Sequence, residues 1–235
     1  MKIGIVCYPT FGGSGVVATE LGLELSKRGH EIHFITDSQP VRLELLSNNV
    51  HFHEVHVPEY PLFHYQPYEL ALSSKLVDMV KLYGIQLLHV HYAIPHAYAA
   101  YMAQQMLLDE GILVPIVTTL HGTDITLVGS HPFYKPAVTF SINKSDAVTS
   151  VSASLKKDTI RLFNIKKDIY VVPNFIDLEK HLHSFTDCQR EMMADDGERI
   201  ITHISNFREV KQIPDVIKIF YNIQKELPAK LMMVG

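Results

Sequence analysis

Three short segments of this chain carry groups suited to an anionic substrate. In the first, Gly12-Gly13-Ser14-Gly15-Val16-Val17-Ala18 follows the apolar run Ile3 to Cys7 and opens an amphipathic stretch. A glycine-rich loop at a helix N-terminus offers bare backbone N–H groups to phosphate or carboxylate. Gly13, Gly15 and Ala18 also satisfy a G-x-G-x-x-A dinucleotide fingerprint, with Asp37 about 20 residues on. Tyr8, Pro9, Thr10 and Phe11 intervene before the first glycine, however, and make the loop longer than a tight dinucleotide turn. The segment reads as an anion contact. A nicotinamide dinucleotide site and a purely structural turn are its alternatives.

The second segment is His121-Gly122-Thr123-Asp124, directly after the strand-like PIVTTL. That position is the carboxyl edge of a parallel sheet, where open α/β folds bind ligands. Gly122 lets the backbone approach a ligand closely, and Thr123 and Asp124 can cap the following turn. The third is SNFREVK, in which Arg208 and Lys211 stand between a strand and a helix. Arg as a fork and Lys as a point charge can together neutralise a diphosphate. A solvated loop pair is the plain alternative.

Histidines form a fourth pattern. His51 and His53, and likewise His89 and His91 with His96 nearby, fall at period two on strand-like runs. Such pairs can bind zinc or copper. Neither pair has a third ligand at convincing spacing, so no metal site is expected and the rings read as core or rim residues.

The elements that position these groups alternate. Ile3 to Cys7, EIHFITD, VHFHEVHV, IQLLHVHY, PIVTTLH, DAVTSVS and IYVVPN read as strands, with helical stretches between most of them. Strand, glycine-rich loop, helix and strand at the N-terminus make a right-handed βαβ unit, the nucleus of a doubly wound sheet. The polar, weakly periodic NFIDLEKHLHSFTDCQREMMADDGE reads as a linker with a short helix. RIITHIS, a loop, a helix from about Pro214 and LMMVG then begin a second βαβ unit. We expect a Rossmann-like domain over 1–170, an interdomain linker over 171–197, and the start of a second Rossmann-like domain over 198–235. One βαβ unit cannot cover both faces of a parallel sheet, so a longer two-domain protein is expected.

Composition bounds the rest. With 235 residues, 47% hydrophobic, 20% charged and a formal charge of −4, the chain is globular and not disordered. It has no long basic run, which argues against nucleic-acid binding. Cys7 and Cys188 are the only cysteines and lack redox or zinc spacing, so reduced thiols in a cytoplasmic protein are expected. No stretch approaches the roughly 20 apolar residues of a membrane span.

Taken together, the segments resemble the retaining glycosyltransferases of family 4. The glycine-rich loop, HGTD, VVPNFID (similar to I-P-N-G-V-D) and SNFREVK (similar to G-R-L-x-x-x-K-G) run the length of the chain. The resemblance implies the GT-B fold, two facing Rossmann-like domains of which the second is incomplete here. CYPTFGGSGVVATELG, HVHYAIPHA and VTTLHGTDIT are more narrowly similar to members that transfer N-acetylglucosamine from UDP-GlcNAc to L-malate in bacillithiol synthesis.

By that resemblance His121 meets the sugar near its 6-hydroxyl, and Arg208 and Lys211 stabilise the leaving diphosphate. Gly13, Gly15, Asn174 and Asn206 complete the donor side, and Ser14, Tyr92 and Thr119 the acceptor side. No metal and no cofactor beyond the donor is implied, and retention fits a front-face route in which the departing phosphate takes the acceptor's proton. The family's E-x7-E motif is not within these residues. An inositol phosphate or lipid acceptor, a nicotinamide-dependent oxidoreductase and a non-catalytic sugar-nucleotide module are the alternatives, and the oligomeric state stays open.

Overall fold

The computed structural model describes residues 1–43, 48–59, 61–62, 64–178 and 190–235. Residues 179–189 of the expected linker, Cys188 among them, lie outside the described residues. The chain divides into two compact units, Met1–Ile176 and Asp177–Gly235.

The first unit holds seven strands: β1 (Lys2–Val6), β2 (Glu31–Thr36), β3 (Val50–Glu54), β4 (Leu87–His91), β5 (Ile116–Leu120), β6 (Ala147–Ser150) and β7 (Ile169–Val171). They form one parallel sheet in the order β3-β2-β1-β4-β5-β6-β7. Its helices are α1 (Gly13–Lys27), α2 (Tyr68–Tyr83), α3 (Tyr98–Asp109), α4 (Thr123–Thr126), α5 (Lys135–Lys144) and α6 (Ala153–Leu162). A single π-type turn, Ala93–Ala97, leads into α3.

Side-chain alternation divides the core between the two faces of the sheet. Ile3, Ile5 and Cys7 of the first strand run pack with Ile32, Phe34 and Ala18. Val6 points the other way, into a cluster with Ile35, Leu88, Val90, Leu72 and Leu76. Strands buried on both faces favour apolar residues at every position, which is why β1 reads as a continuous run and not as an alternating one. Burial pushes the Cys7 thiol up to about 12, with Asp37 adding to the shift, so the thiol is inert.

Helix ends follow local chemistry. α1 stops where Gly29 turns to φ +87° and donates its N–H to Ser26 O at 2.9 Å. α6 starts at Ser152, whose hydroxyl accepts the Leu155 N–H at 3.1 Å.

The strand order reverses between β1 and β4. The chain builds outward from β1 to β3, then returns to the other side of β1 and builds outward to β7. The loops after β1 and β4 therefore leave the sheet in opposite directions and open a crevice at their carboxyl ends.

The second unit contains the short helix α7 (Arg190–Met193), then β8 (Arg199–Ile204), α8 (Ile213–Glu226) and β9 (Ala229–Val234). β8 and β9 pair in parallel from Arg199↔Ala229 to Ile204↔Val234. Pro214 sits in the first turn of α8, where its missing N–H costs nothing. Ile217, Ile219 and Tyr221 of this helix are exposed.

Leu88 is fully buried in the central strand β4, whereas Leu113 is 80% exposed. Leu88→Ala should lower stability by about 2–5 kcal/mol and Leu113→Ala by less than about 0.5 kcal/mol, read as a shift in urea midpoint.

Candidate active site

The crevice is built by residues that stand just past successive strands. Tyr8 follows β1, Tyr92 follows β4 and His121 follows β5. The Tyr8 and Tyr92 rings meet edge to face at 5.2 Å, and the Tyr92 ring stacks on His121 at 5.5 Å. Tyr92 has φ 87°, a left-handed backbone that costs a non-glycine residue about 1–3 kcal/mol and that clusters at functional sites. It is held there by its N–H to Thr119 O at 3.0 Å and by its hydroxyl, 3.0 Å from Thr123 Oγ1.

The expected glycine loop splits in function. A Cβ on Gly15 would sit 2.4 Å from Tyr8 O and 2.6 Å from Thr10 O, so its smallness lets the loop fold back on α1. Gly13 faces open space, and Ser14 is half-buried beside it. The first turn of α1 contains no acidic residue, and its leading N–H groups and dipole keep a positive end toward the crevice.

A buried carboxylate organises the HGTD segment. Asp124, 2% exposed, accepts N–H groups from His121 at 3.1 Å and Gly122 at 2.9 Å on one oxygen. Its other oxygen accepts the Ala93 N–H at 3.1 Å. Burial pushes its pKa up, and the backbone N–H groups pull against that shift. Gly122 adopts φ +122°, a conformation that glycine reaches without strain. Asp124 does not cap the following turn as expected, but reaches back to the preceding backbone and so fixes His121.

The His121 ring is neutral. Burial holds it down to about 4, with His89 and His96 adding to the shift. Its Nε2 lies 2.8 Å from His91 Nδ1, and His91 Nε2 is buried with no partner among the described residues. A bare nitrogen lone pair is cheaper to bury than an unpaired N–H, so His91 donates from Nδ1 and His121 accepts at Nε2. His121 keeps its proton on Nδ1 as a hydrogen-bond donor.

Thr119 faces inward. It is 8% exposed, and its hydroxyl is engaged with His89 Nε2 at 2.8 Å and Thr149 Oγ1 at 2.7 Å. Of the acceptor-side residues named from the sequence, Tyr92 stands in the crevice past β4, Ser14 lies half-buried in the first turn of α1, and Thr119 is largely buried beneath.

A cavity of about 640 Å³ opens here, lined by Tyr8, Glu69, Tyr92, Tyr98, Thr123 and Tyr134 among others. Tyr92 was named from the sequence and Tyr8 stands beside the glycine loop, whereas Tyr98, Tyr134 and Glu69 were not marked by any sequence motif. No Lys or Arg is among its described lining residues.

The remaining named residues lie elsewhere in the chain. Asn174 is exposed after β7. Asn206, Arg208 and Lys211 belong to the second unit and are gathered on the loop after β8. There the Arg208 N–H donates to Asn206 O at 2.7 Å and the Lys211 N–H to Arg208 O at 2.8 Å. All three side chains are exposed. Asp37 follows β2 and is exposed, and Ala18 is buried in α1.

The doubly wound parallel sheet is the scaffold found in glycosyltransferases of the GT-B class. The chain matches Glycosyltransferase Family 4 over residues 11–180, and it belongs to that family. It is 50% identical over 236 residues to the N-acetyl-alpha-D-glucosaminyl L-malate synthase of Bacillus anthracis, in an alignment covering 100% of this chain and 61% of the relative. The chain therefore spans about three fifths of that relative's length.

Among solved structures, a glycosyltransferase of Rickettsia africae superposes with TM-score 0.64 at 15% identity, covering 100% of this chain and 68% of the other. The UDP-GlcNAc 2-epimerase of Methanocaldococcus jannaschii superposes with TM-score 0.60 at 10% identity, covering 99% and 65%. These two share the fold alone, and an epimerase on the same scaffold shows that the scaffold does not select the reaction. Family membership leaves the nicotinamide reading of Gly13, Gly15, Ala18 and Asp37 without support. No helix among the described residues is long and apolar enough to cross a membrane.

His89, His96 and His121 are each held to about 4 by burial, against 6.5 for an exposed histidine. Between those values the unfolded chain binds protons that the folded chain refuses, so their neutral burial is fully tolerated above about pH 6.5 and destabilises the fold progressively as pH falls toward 4. The urea midpoint should drop steeply from pH 7 to pH 5. His89→Gln should flatten that drop, and a midpoint independent of pH over this range would contradict the neutral histidine core.

Proposed function

We propose that this chain is the acceptor-side domain and the beginning of the donor-side domain of a retaining glycosyltransferase. In this reading the enzyme moves N-acetylglucosamine from UDP-GlcNAc to the hydroxyl of L-malate, the opening step of bacillithiol synthesis in a cytoplasmic enzyme. The observation that carries it is 50% identity across the whole chain to a protein named for that product.

The local chemistry supports each part. A malate dianion needs positive potential. Glu69 repels carboxylates from its own part of the cavity, so the acid groups turn to the N-terminus of α1, where Gly13 is open and no acidic residue intrudes. The hydroxyls of Ser14, Tyr92 and Thr123 are near enough to orient such an acceptor. Neutral His121 suits a sugar hydroxyl better than a phosphate, because it donates from Nδ1 without adding a charge. Arg208 and Lys211, side by side on the loop after β8, supply the fixed cations that a departing UDP requires. With those cations in place the transfer proceeds without a divalent ion, and the leaving phosphate oxygen takes the acceptor's proton as the new glycosidic bond forms on the same face.

The test is UDP release, with the product's anomeric configuration read by NMR, by a protein that carries the second domain complete. L-malate should outcompete other hydroxy acids, inositol phosphates and lipid acceptors, and preference for another acceptor would overturn the malate reading. In the same protein Arg208→Ala should lower kcat/KM by about 10²–10³ and weaken UDP binding. His121→Ala should lower turnover while sparing affinity for UDP, and EDTA should leave turnover unchanged. Equal loss of UDP affinity in both variants would remove His121 from the sugar.

A further inference from the structure

A second polar cluster lies at the opposite end of the same sheet, near the start of β2 and not past its end. β2 and β3 are parallel partners with His33 level with His51 and Ile35 level with His53. Period-two alternation puts Glu31 and His33 of β2, and His51 and His53 of β3, on one face. β1 begins beside them, Lys2 level with Glu31, and Tyr8 lies six residues further along, about 20 Å at the rise of a strand. The cluster is therefore separate from the crevice.

We propose that Glu31, His33 and His51 form a site for one divalent transition-metal ion of the zinc type. Two imidazoles and a carboxylate are the donor set such borderline ions prefer, with water completing a tetrahedron. The three donor atoms already lie within 4.8 Å of one another. His33 Nε2 is 3.2 Å and His51 Nε2 is 3.7 Å from the same oxygen, Glu31 Oε1. Ligand atoms bound at about 2.0–2.1 Å around a tetrahedral ion stand about 3.3 Å apart, so the Glu31–His33 edge is at bonding geometry. The His51 ring, 36% exposed, has room to close the rest.

The surrounding rings hold the site's inner ligand in place. The buried His33 ring is clamped between His51, stacked at 4.8 Å, and His53, stacked at 5.2 Å, with Tyr83 against both His33 and His53. His33 Nδ1 meets His53 Nε2 at 2.9 Å. Without an ion the His33 Nε2–H donates to Glu31 Oε1 and Nδ1 accepts from His53; an ion would displace the Nε2 proton, and the contact with His53 would then hold the Nδ1–H, as outer partners of ligating histidines do.

One group opposes the ion. Lys2 Nζ reaches both Glu31 oxygens, at 3.3 and 3.2 Å, and competes for the carboxylate from a half-exposed position. Its role makes the proposal sharper, because removing Lys2 should tighten metal binding, whereas a merely structural ion pair would give no such gain. The ion's effect would be to tie edge strand β3 to β2, which leaves transfer chemistry at the far end of the sheet untouched.

The experiment is titration of the untagged chain with Co(II), read by its visible ligand-field bands, followed by displacement with Zn(II). One equivalent should bind, and excess Zn(II) should raise Tm by about 5 °C or more. His51→Ala should weaken binding at least tenfold, Lys2→Gln should strengthen it, and the exposed His64→Ala should match the parent chain. The half-exposed His51 is chosen because His33 variants risk the fold. Absence of ligand-field bands in the parent chain, or binding by His51→Ala equal to the parent's, would overturn the site.

Discussion

One buried carboxylate holds the crevice together. Asp124 ties the end of β4, through Ala93, to the end of β5, through His121 and Gly122. A carboxylate with almost no exposure would be costly on its own, and three backbone N–H groups compensate it where the chain leaves regular structure and would otherwise bury those donors unpaired. The exchange is mutual: the loop needs an acceptor, and the acid needs donors. Because Asp124 sits three residues after His121, the same turn that solves this problem also fixes where the imidazole begins.

The histidine core extends that logic without charge. His89, His91 and His121 are packed closely enough to stack, with His89 and His91 at 4.7 Å and His91 and His121 at 5.1 Å, and His96 joins them through its Nδ1–H to His91 O. Burial lowers each pKa, and for His91 and His121 repulsion from a proton on a neighbouring histidine lowers it further. The first unit thus offers hydroxyls, backbone N–H groups and uncharged imidazole to a substrate, while the exposed cations Arg208 and Lys211 belong to the second unit.

The sheet was legible in the sequence because strands buried on both faces leave continuous apolar runs, and the glycine loop, HGTD and SNFREVK stood out because they interrupt those runs at carboxyl ends. Residues that act through tertiary parity were not legible. Thr119 ends a strand, as a binding residue should, yet strand register pairs it with Thr149 and points its hydroxyl into the core. Gly15 fits a phosphate fingerprint, yet its missing Cβ serves the Tyr8 and Thr10 carbonyls. The tyrosines of the cavity come from several elements with no common spacing, and Tyr92 gives no sign in the sequence of its left-handed backbone.

The same limit explains the histidines of β3. A search along the chain for a third ligand at fixed spacing fails, because Glu31 and His51 are twenty residues apart and become neighbours only when β2 and β3 pair in parallel register. Parallel pairing brings like positions of different strands side by side, so a donor set can be spread one or two residues per strand with no local signature. The two ends of this sheet then diverge by chemistry. At the carboxyl ends, loops and helix N-termini create positive potential suited to anions. At the amino ends of β2 and β3, a carboxylate and neutral imidazoles gather lone pairs suited to a cation. A doubly wound sheet can therefore carry a site of each polarity, one fixed by loop geometry and the other by strand register alone.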